Sequence, residues 1–550
     1  MTTTVSSSVS GFRWPSRWRR PGWLQGAALV LALMVGAPLL VIALSWGDVH
    51  ADIWVHLAQT QLTRLIGNTL VLVAGVATLV LLLGVPLAWF TATCEFPGRR
   101  VFDVALMLPL AVPAYVMAFV MVGLLDYAGP VQTTLRGWFG PQVAFSFRGT
   151  TAVVLVMSLV LYPYVYMLAR SAFLAQGREP LEAARVLGRG PLAGFLQVAL
   201  PMARPAIVAG TALALMETLA DFGAVAVFNY DTFTTAIYKA WYGFFDLQTA
   251  AQLASLLLLF VLSGLYLERR GRGSARYFQT GRRRRSSSRI VLTGPRAWLV
   301  SLWCALVLAV AFLVPVGQLL IWLFDGAWRQ WDGRYLDLVA HTLSLGAIAA
   351  VITVTAAFLL ALYRRSYQTR LAGSVVRLAT VGYALPGSVL AVGIMLSFNW
   401  LDAWAARIQA ALGWEVQPIF VGGVLALLLA YTTRFLAAAF GPVETSLDRI
   451  KPCIPEAAAT LGARPPEIAR RIYLPMLAPG LLTAALLAFV DVMKEMPATL
   501  LMRPFGWDTL AVRIYELTSE GLWEQAALPG LSIVVVGMAP VIIMVKRSAH

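Results

Sequence analysis

Twelve long apolar runs constrain this chain more than any other feature. They lie near residues 23–46, 66–90, 102–126, 150–169, 205–228, 248–267, 297–323, 342–363, 378–398, 418–439, 477–500 and 526–545. A helix crosses a bilayer core with about 20 mostly apolar residues, and lipid offers the backbone no hydrogen bonds, so a spanning segment must be a helix or part of a closed barrel. Runs of this length suit helices and predict an all-α polytopic membrane protein. Composition agrees: 59% of the 550 residues are hydrophobic and 13% are charged, outside the range of soluble domains. The opening "MTTTVSSSVSGFRWPSRWRR" is polar and basic. The run after it is too long for a signal-peptide core and shows no small-residue cleavage site, so it reads as a retained first span.

A formal charge of +16 raises the possibility of nucleic acid, but the arginines sit between apolar runs, where positive-inside topology accounts for them. With Arg13 to Arg20 in the cytoplasm, every second connection should be basic. That holds for Arg99 and Arg100, Arg170 to Arg204, Arg269 to Arg289, Arg364 to Arg377, Arg449 to Arg471, and the end at Lys546 and Arg547. The opposite loops carry fewer basic residues, such as Arg136, Arg148, Arg329 and Arg334. Both termini are then expected in the cytoplasm.

The midpoint stretch "ERRGRGSARYFQTGRRRRSSSR" is a run of like charge with Gly and Ser that does not fold alone. It divides the chain into a first half at 1–268 (core about 64–268), a basic linker at 269–292 and a second half at 293–550 (core about 338–545). Contact with anionic lipid is open to its arginines; a plain cytoplasmic linker is the simpler role.

The halves repeat. "EAARVLGRGPLAGFLQVALP" begins at Glu182 and "EAAATLGARPPEIARRIYLP" at Glu456, 274 residues apart, as are Pro201 and Pro475. "NTLVLVAGVATLV" from Asn68 parallels "HTLSLGAIAAVIT" from His341, and Pro113 parallels Pro386. Six spans per half give both copies one orientation, a parallel repeat about an axis along the membrane normal.

Each repeated segment reads as a two-helix bracket. Pro180 or Pro455 suits a first helical turn, where its missing N–H costs nothing. Glu182 or Glu456 then meets the positive end of the helix dipole. Ala183 and Ala184, or Ala457 and Ala458, are strong helix formers that leave a smooth face. Gly188 or Gly462 can take the left-handed conformation that ends a helix. Pro191, or Pro465 and Pro466, restarts one that leads through Leu200–Pro201 or Leu474–Pro475 into the next span. Two copies on one membrane side suggest that each half meets an equivalent partner.

These segments resemble the Glu-Ala-Ala loop of binding-protein-dependent ABC transporter permeases, in which Gly and then Ile-any-Leu-Pro follow at fixed spacing. Val198 replaces the Ile of the first copy, and Ile472 keeps it in the second. The resemblance covers both halves and implies a fused permease pair with a type I ABC importer fold. By resemblance, Glu182, Ala183, Ala184, Gly188 and Pro201 would couple to one cytoplasmic ATPase subunit, and Glu456, Ala457, Ala458, Gly462 and Pro475 to a second copy. A solute-binding protein would deliver cargo on the opposite face. The chain has no G-x-x-x-x-G-K-[ST] phosphate loop, and none of its four lysines follows a glycine-rich turn. It is therefore expected to be no enzyme, to bind no cofactor, and to draw on ATP used by its partners in alternating access.

Ionisable groups inside spans are functional candidates by default. "LMETLADFGAVAVF" places Glu217 and Asp221 four apart, and "FVDVMKEMPATLLM" places Asp491 and Glu495 likewise, with Lys494 beside them. That spacing puts each pair on one helical face, either lining a pathway for a cation or bracing the helix against neighbouring backbone. Three separated cysteines and four histidines form neither a disulfide framework nor a metal-ligand cluster. The stretches following the acids resemble fused ferric-iron permeases, which implies Fe(III) as solute. Thiamine, phosphonate, polyamine and sulfate permeases share the architecture. An ion-gradient-driven carrier would also use intramembrane acids, and a non-transporting scaffold for the ATPase would show no flux.

Overall fold

The apolar runs fold as helices because lipid leaves their backbone no other partner. The structure, a computed structural model, describes residues 22–47, 49–142, 144–177, 179–272 and 289–548. Arg13 to Arg20 and linker residues 273–288 lie outside the described residues. Among the described residues, eleven helices are long and apolar enough to cross a membrane, and Ala527–Ile542 is a shorter apolar stretch. The crossing helices are α1 (Gly22–Leu44), α2 (Thr63–Thr93), α3 (Ala114–Leu125, continued by the helix Pro130–Phe139), α4 (Thr150–Gln176), α5 (Leu200–Ala220) and α6 (Leu247–Arg272) in the first half. In the second they are α7 (Pro295–Phe324), α8 (Gly333–Ser366), α9 (Gly387–Ala411), α10 (Val424–Asp448) and α11 (Leu474–Lys494), and the shorter apolar helix is α12 (Ala527–Ser548).

Eleven of the twelve expected runs form helices of spanning length, the run at 526–545 forms the shorter α12, and four of the others end differently than expected. The run at 102–126 is broken into Arg99–Ala105, a 3-10 turn at Leu108–Ala111 and α3. The run at 378–398 is broken in the same way, into Arg370–Thr380, a turn at Val381–Ala384 and α9. Pro113 and Pro386 cause both breaks. Each stands in extended conformation just before its helix, since proline cannot continue a helix and pushes the residue before it out of the helical region. Freed carbonyls inside a membrane body need donors. Tyr162 Oη donates to Leu106 O at 3.0 Å and Tyr166 Oη to Asp103 O at 3.1 Å, while Arg170 grips the Asp103 carboxylate with two bonds of 2.5 and 2.6 Å. The runs at 205–228 and 477–500 are each cut short by a second break, at Asp221 and Glu495.

Sequence halves and packing halves do not coincide. α1 lays a stripe of Ala28, Ala32, Val35, Pro38 and Ile42 against α9 and the Arg370–Thr380 helix of the other half. The contact is close: a Cβ on Gly393 would stand 2.9 Å from Pro38 O. In return, α7 packs against α3 and α12, where a Cβ on Gly123 would come within 2.5 Å of the Trp322 ring. The first span of each half thus packs against the other half. Where the chain emerges from the linker, Ile290–Val291 pairs in parallel with Cys94–Glu95, and Ser301 Oγ donates to Pro97 O at 2.8 Å, pinning α7 under the first half.

Candidate functional site: twin brackets and an intramembrane charge cluster

The two brackets adopt one geometry. Helices Glu179–Val186 and Cys453–Thr460 carry Glu182 and Glu456 in their first turns. Both helices end at a left-handed glycine, Gly188 at φ +76 and Gly462 at φ +87. The closing bonds match as well: Arg189 N donates to Ala184 O at 2.9 Å and Ala463 N to Ala458 O at 3.0 Å. These are the wide bonds that satisfy the last carbonyls of a helix at a glycine terminus. Ala184 is buried beneath its helix, whereas Ala183 and Ala457 face outward.

After the glycines, Pro191–Gly194 and Pro465–Ile468 restart the helix, followed by π-turns at Phe195–Ala199 and Ala469–Tyr473. Pro201 and Pro475 stand just beyond these turns, inside α5 and α11. A proline ring clashes with the carbonyl four residues back, and a wider π-turn moves that carbonyl aside. The helix therefore runs through the Leu-Pro pair unbroken, and bracket and span form one lever.

Among the described residues, nothing covers several apolar side chains of the brackets. Leu187 and Leu461 stand at equivalent positions and are 80% and 88% exposed; Val186 is 88% exposed and Leu192 69%. Large apolar residues grouped in this way mark a contact surface.

At the far ends of the two levers the acids collect, though not as the i,i+4 spacing predicts. Glu217 and Asp491 lie within α5 and α11, but the helices stop at Ala220 and Lys494. Asp221 and Glu495 are extended residues beyond them, with ψ of 133 and 110. They leave the shared helical face because each caps the next short helix. Asp221 Oδ1 accepts from Ala224 N and Val225 N at 2.9 and 3.2 Å, ahead of Gly223–Val227. Glu495 Oε1 accepts from Ala498 N at 3.2 Å, at the start of Pro497–Met502.

The cations that face these acids belong to the second half. Arg434 Nη1 lies 2.9 Å from Glu495 Oε1, with both side chains buried. The space for this pair exists because residue 387 is glycine; a Cβ there would fall 2.3 Å from Glu495 Oε1 and 2.4 Å from Arg434 Nη1. Lys494 lies within electrostatic reach of Asp491, and its Nζ donates to Leu110 O in the break before α3 at 3.0 Å. By the repeat, the first half has Val160 and Ala220 at those positions. The far ends of the two levers thus carry four carboxylates and two cations, with Glu495 paired to Arg434. Among the described residues, no group of three or more His, Cys, Asp or Glu is arranged to hold a metal ion. Sequence reasoning missed Arg434, although an arginine inside the apolar run at 418–439 is the same kind of signal as the acids.

The chain is similar to known transport proteins. Residues 84–269 match the model of the binding-protein-dependent transport system inner membrane component family. The chain is 26% identical over 534 residues to the Fe(3+)-transport system permease protein FbpB 2 of Haemophilus influenzae, covering 96% of this chain and 99% of that one. It is 30% identical over 217 residues to a probable molybdenum ABC transporter permease protein of Haloferax volcanii, covering 39% of this chain and 76% of the relative. It is also 34% identical over 145 residues to the molybdenum transport system permease protein ModB of Escherichia coli, covering 26% of this chain and 62% of the relative. The chain belongs to the family of binding-protein-dependent ABC transporter permeases, multi-pass components of the inner membrane.

Proposed function

We propose that this permease carries ferric iron into the cytoplasm, driven by two copies of a separate ABC ATPase, one seated on each bracket. A solute-binding protein delivers the metal on the far side. The chain itself holds no cofactor; ATP is consumed by the partner. Both termini and the linker then lie on the bracket side, in the cytoplasm, and lipid surrounds the rest.

One observation carries the choice of solute. Glu217, Asp221, Asp491 and Glu495 stand at the far ends of the two levers, and among the described residues Arg434 and Lys494 are the cations that accompany them. Intramembrane ionisable groups mark an ion pathway, and four carboxylates against two cations favour a cation over an oxyanion such as molybdate or sulfate. No tight metal cage is needed, since a conducting site must release what it takes up. The full-length similarity to a permease named for Fe(3+) transport supports the same reading.

The ATPase reading rests on the brackets. Two copies of one geometry, each with an exposed leucine at its tip, are suited to two copies of one partner, and each is rigidly joined to a span. The test is uptake by proteoliposomes holding this chain, the ATPase and the binding protein. Labelled Fe(III) should accumulate with ATP inside and stop with vanadate, while persisting after uncoupling. Uptake of molybdate or sulfate but not Fe(III) would reject iron; uptake that collapses with an uncoupler would reject the ATP-driven class.

A further inference from the structure

Beyond the far ends of the two levers, aromatic rings contributed by both halves meet. Tyr238 lies on the short helix Phe233–Tyr238 of the first half, and Tyr515 on Leu510–Ser519 of the second. The two residues correspond in the repeat: each sits six residues beyond a threonine that caps its helix, Thr232 in one half and Thr509 in the other. Their rings meet edge to face with centroids 6.2 Å apart. Phe222 wedges against both, at 5.1 Å from Tyr238 and 5.5 Å from Tyr515. Tyr242 stacks on Tyr238 at 5.1 Å and donates to Leu501 O across the halves at 3.2 Å. Aromatic contacts of this kind are individually worth little, so the plug can hold a pathway shut and still open at modest cost.

The plug is tied to the levers. Thr234 Oγ1, on the Tyr238 helix, donates to Asp221 O at 2.7 Å, and Asp221 is the first residue beyond α5. Phe222 follows it directly. In the second half, Met496 follows Glu495 and crosses to the first half, where a Cβ on Gly223 would stand 2.4 Å from Met496 Cε. A rotation of α5 or α11 about its bracket therefore moves the residues that plug the far side.

We propose that Tyr238, Tyr515 and Phe222 form the gate on the face away from the brackets, and that Asp221 and Glu495 are the hinges through which the two levers open it. The proposal deepens the transport reading, but its test needs neither ATPase nor iron, so the two can fail separately.

The experiment measures thiol labelling in sealed vesicles whose interior faces the brackets. Cys94 and Cys304 are replaced by alanine, and Glu217→Cys reports access to the centre. Native Cys453, exposed on the second bracket, must stay unlabelled by an impermeant maleimide, which proves sealing. With the gate intact, position 217 should label slowly. Tyr238→Ala with Tyr515→Ala should raise its rate about tenfold or more, the signature of a shifted open population. Tyr238→Phe with Tyr515→Phe keeps the rings and should label slowly. Equal rates in the alanine and parent chains would overturn the gate. Should the alanine pair not fold, either single substitution, Tyr238→Ala or Tyr515→Ala, takes its place and should raise the labelling rate in the same direction; a single-variant rate equal to the parent's would overturn the proposal.

Discussion

Arg434 on α10 and Glu495 beyond the end of α11 form a 2.9 Å ion pair buried inside the membrane body. The same carboxylate oxygen also caps the helix at Pro497. Glu495 is thus tied to a neighbouring span and to the hinge together. Asp221, its counterpart, caps its helix with no cation of its own half at the position of Arg434.

That asymmetry predicts a stability result. Arg434→Met leaves a buried carboxylate without its partner, a change that typically costs about 3–5 kcal/mol. Adding Glu495→Met removes the orphaned charge. Thermal unfolding in detergent should show a large fall for the single variant and substantial recovery for the pair. Gly387→Ala should resemble the single variant, because its Cβ would overlap both charged groups.

Gly188 and Gly462 should tolerate added bulk but not the change of backbone. No atom lies within 4 Å of a Cβ at either position, yet both have positive φ. Valine there costs about 1–2 kcal/mol of local strain each and unwinds the bracket terminus. Gly188→Val with Gly462→Val should insert into the membrane normally and lose co-purification with the ATPase. Unchanged co-purification would detach coupling from bracket geometry.

Glu217 and Asp491 cap no helix and lie within the levers, so their substitution separates pathway from scaffold. Glu217→Gln with Asp491→Asn should lower Fe(III) flux tenfold or more, on the order of the 1.4 kcal/mol per decade in a rate, while ATPase binding persists. Unchanged flux would assign both acids to packing.

A pH effect arises outside the spans, where Asp246 begins α6. Burial works against its charge. Bonds from Thr249 Oγ1 at 2.5 Å and from the His50 ring at 2.9 Å outweigh burial and hold the carboxyl below its usual range. A carboxyl depressed in the folded state stabilises fully above its unfolded pKa, about 3.9, and the benefit disappears as pH falls through the lower folded value. Asp246→Asn should therefore weaken the chain at neutral pH, with the difference from the parent closing under strong acid. Thermal scans from neutral to pH 3 measure it.

The spans and brackets were legible in the sequence because each rests on a local rule. Apolar length gives the spans, and proline, glutamate and glycine at fixed spacing give the brackets. The ends of α5 and α11 were not legible. Counting i and i+4 put Asp221 and Glu495 on a helix, whereas their carboxylates bond the backbone of the next short helix. The choice between continuing a helix and capping another depends on neighbours such as Arg434, which lies 61 residues from Glu495 in sequence. The exchange of α1 and α7 between halves was hidden for the same reason, since it depends on glycines at the distant positions 393 and 123 that let helices approach. The π-turns before Pro201 and Pro475 answer a clash that only a continuous helix creates.

Site-specific photocrosslinking from positions 187 and 461 tests the coupling assignment most directly. Leu187 and Leu461 are the exposed bracket leucines, and a crosslinker at either should capture an ATPase subunit, with both positions together capturing two per permease. Crosslinks to lipid alone, or to a protein on the opposite membrane face, would contradict the account.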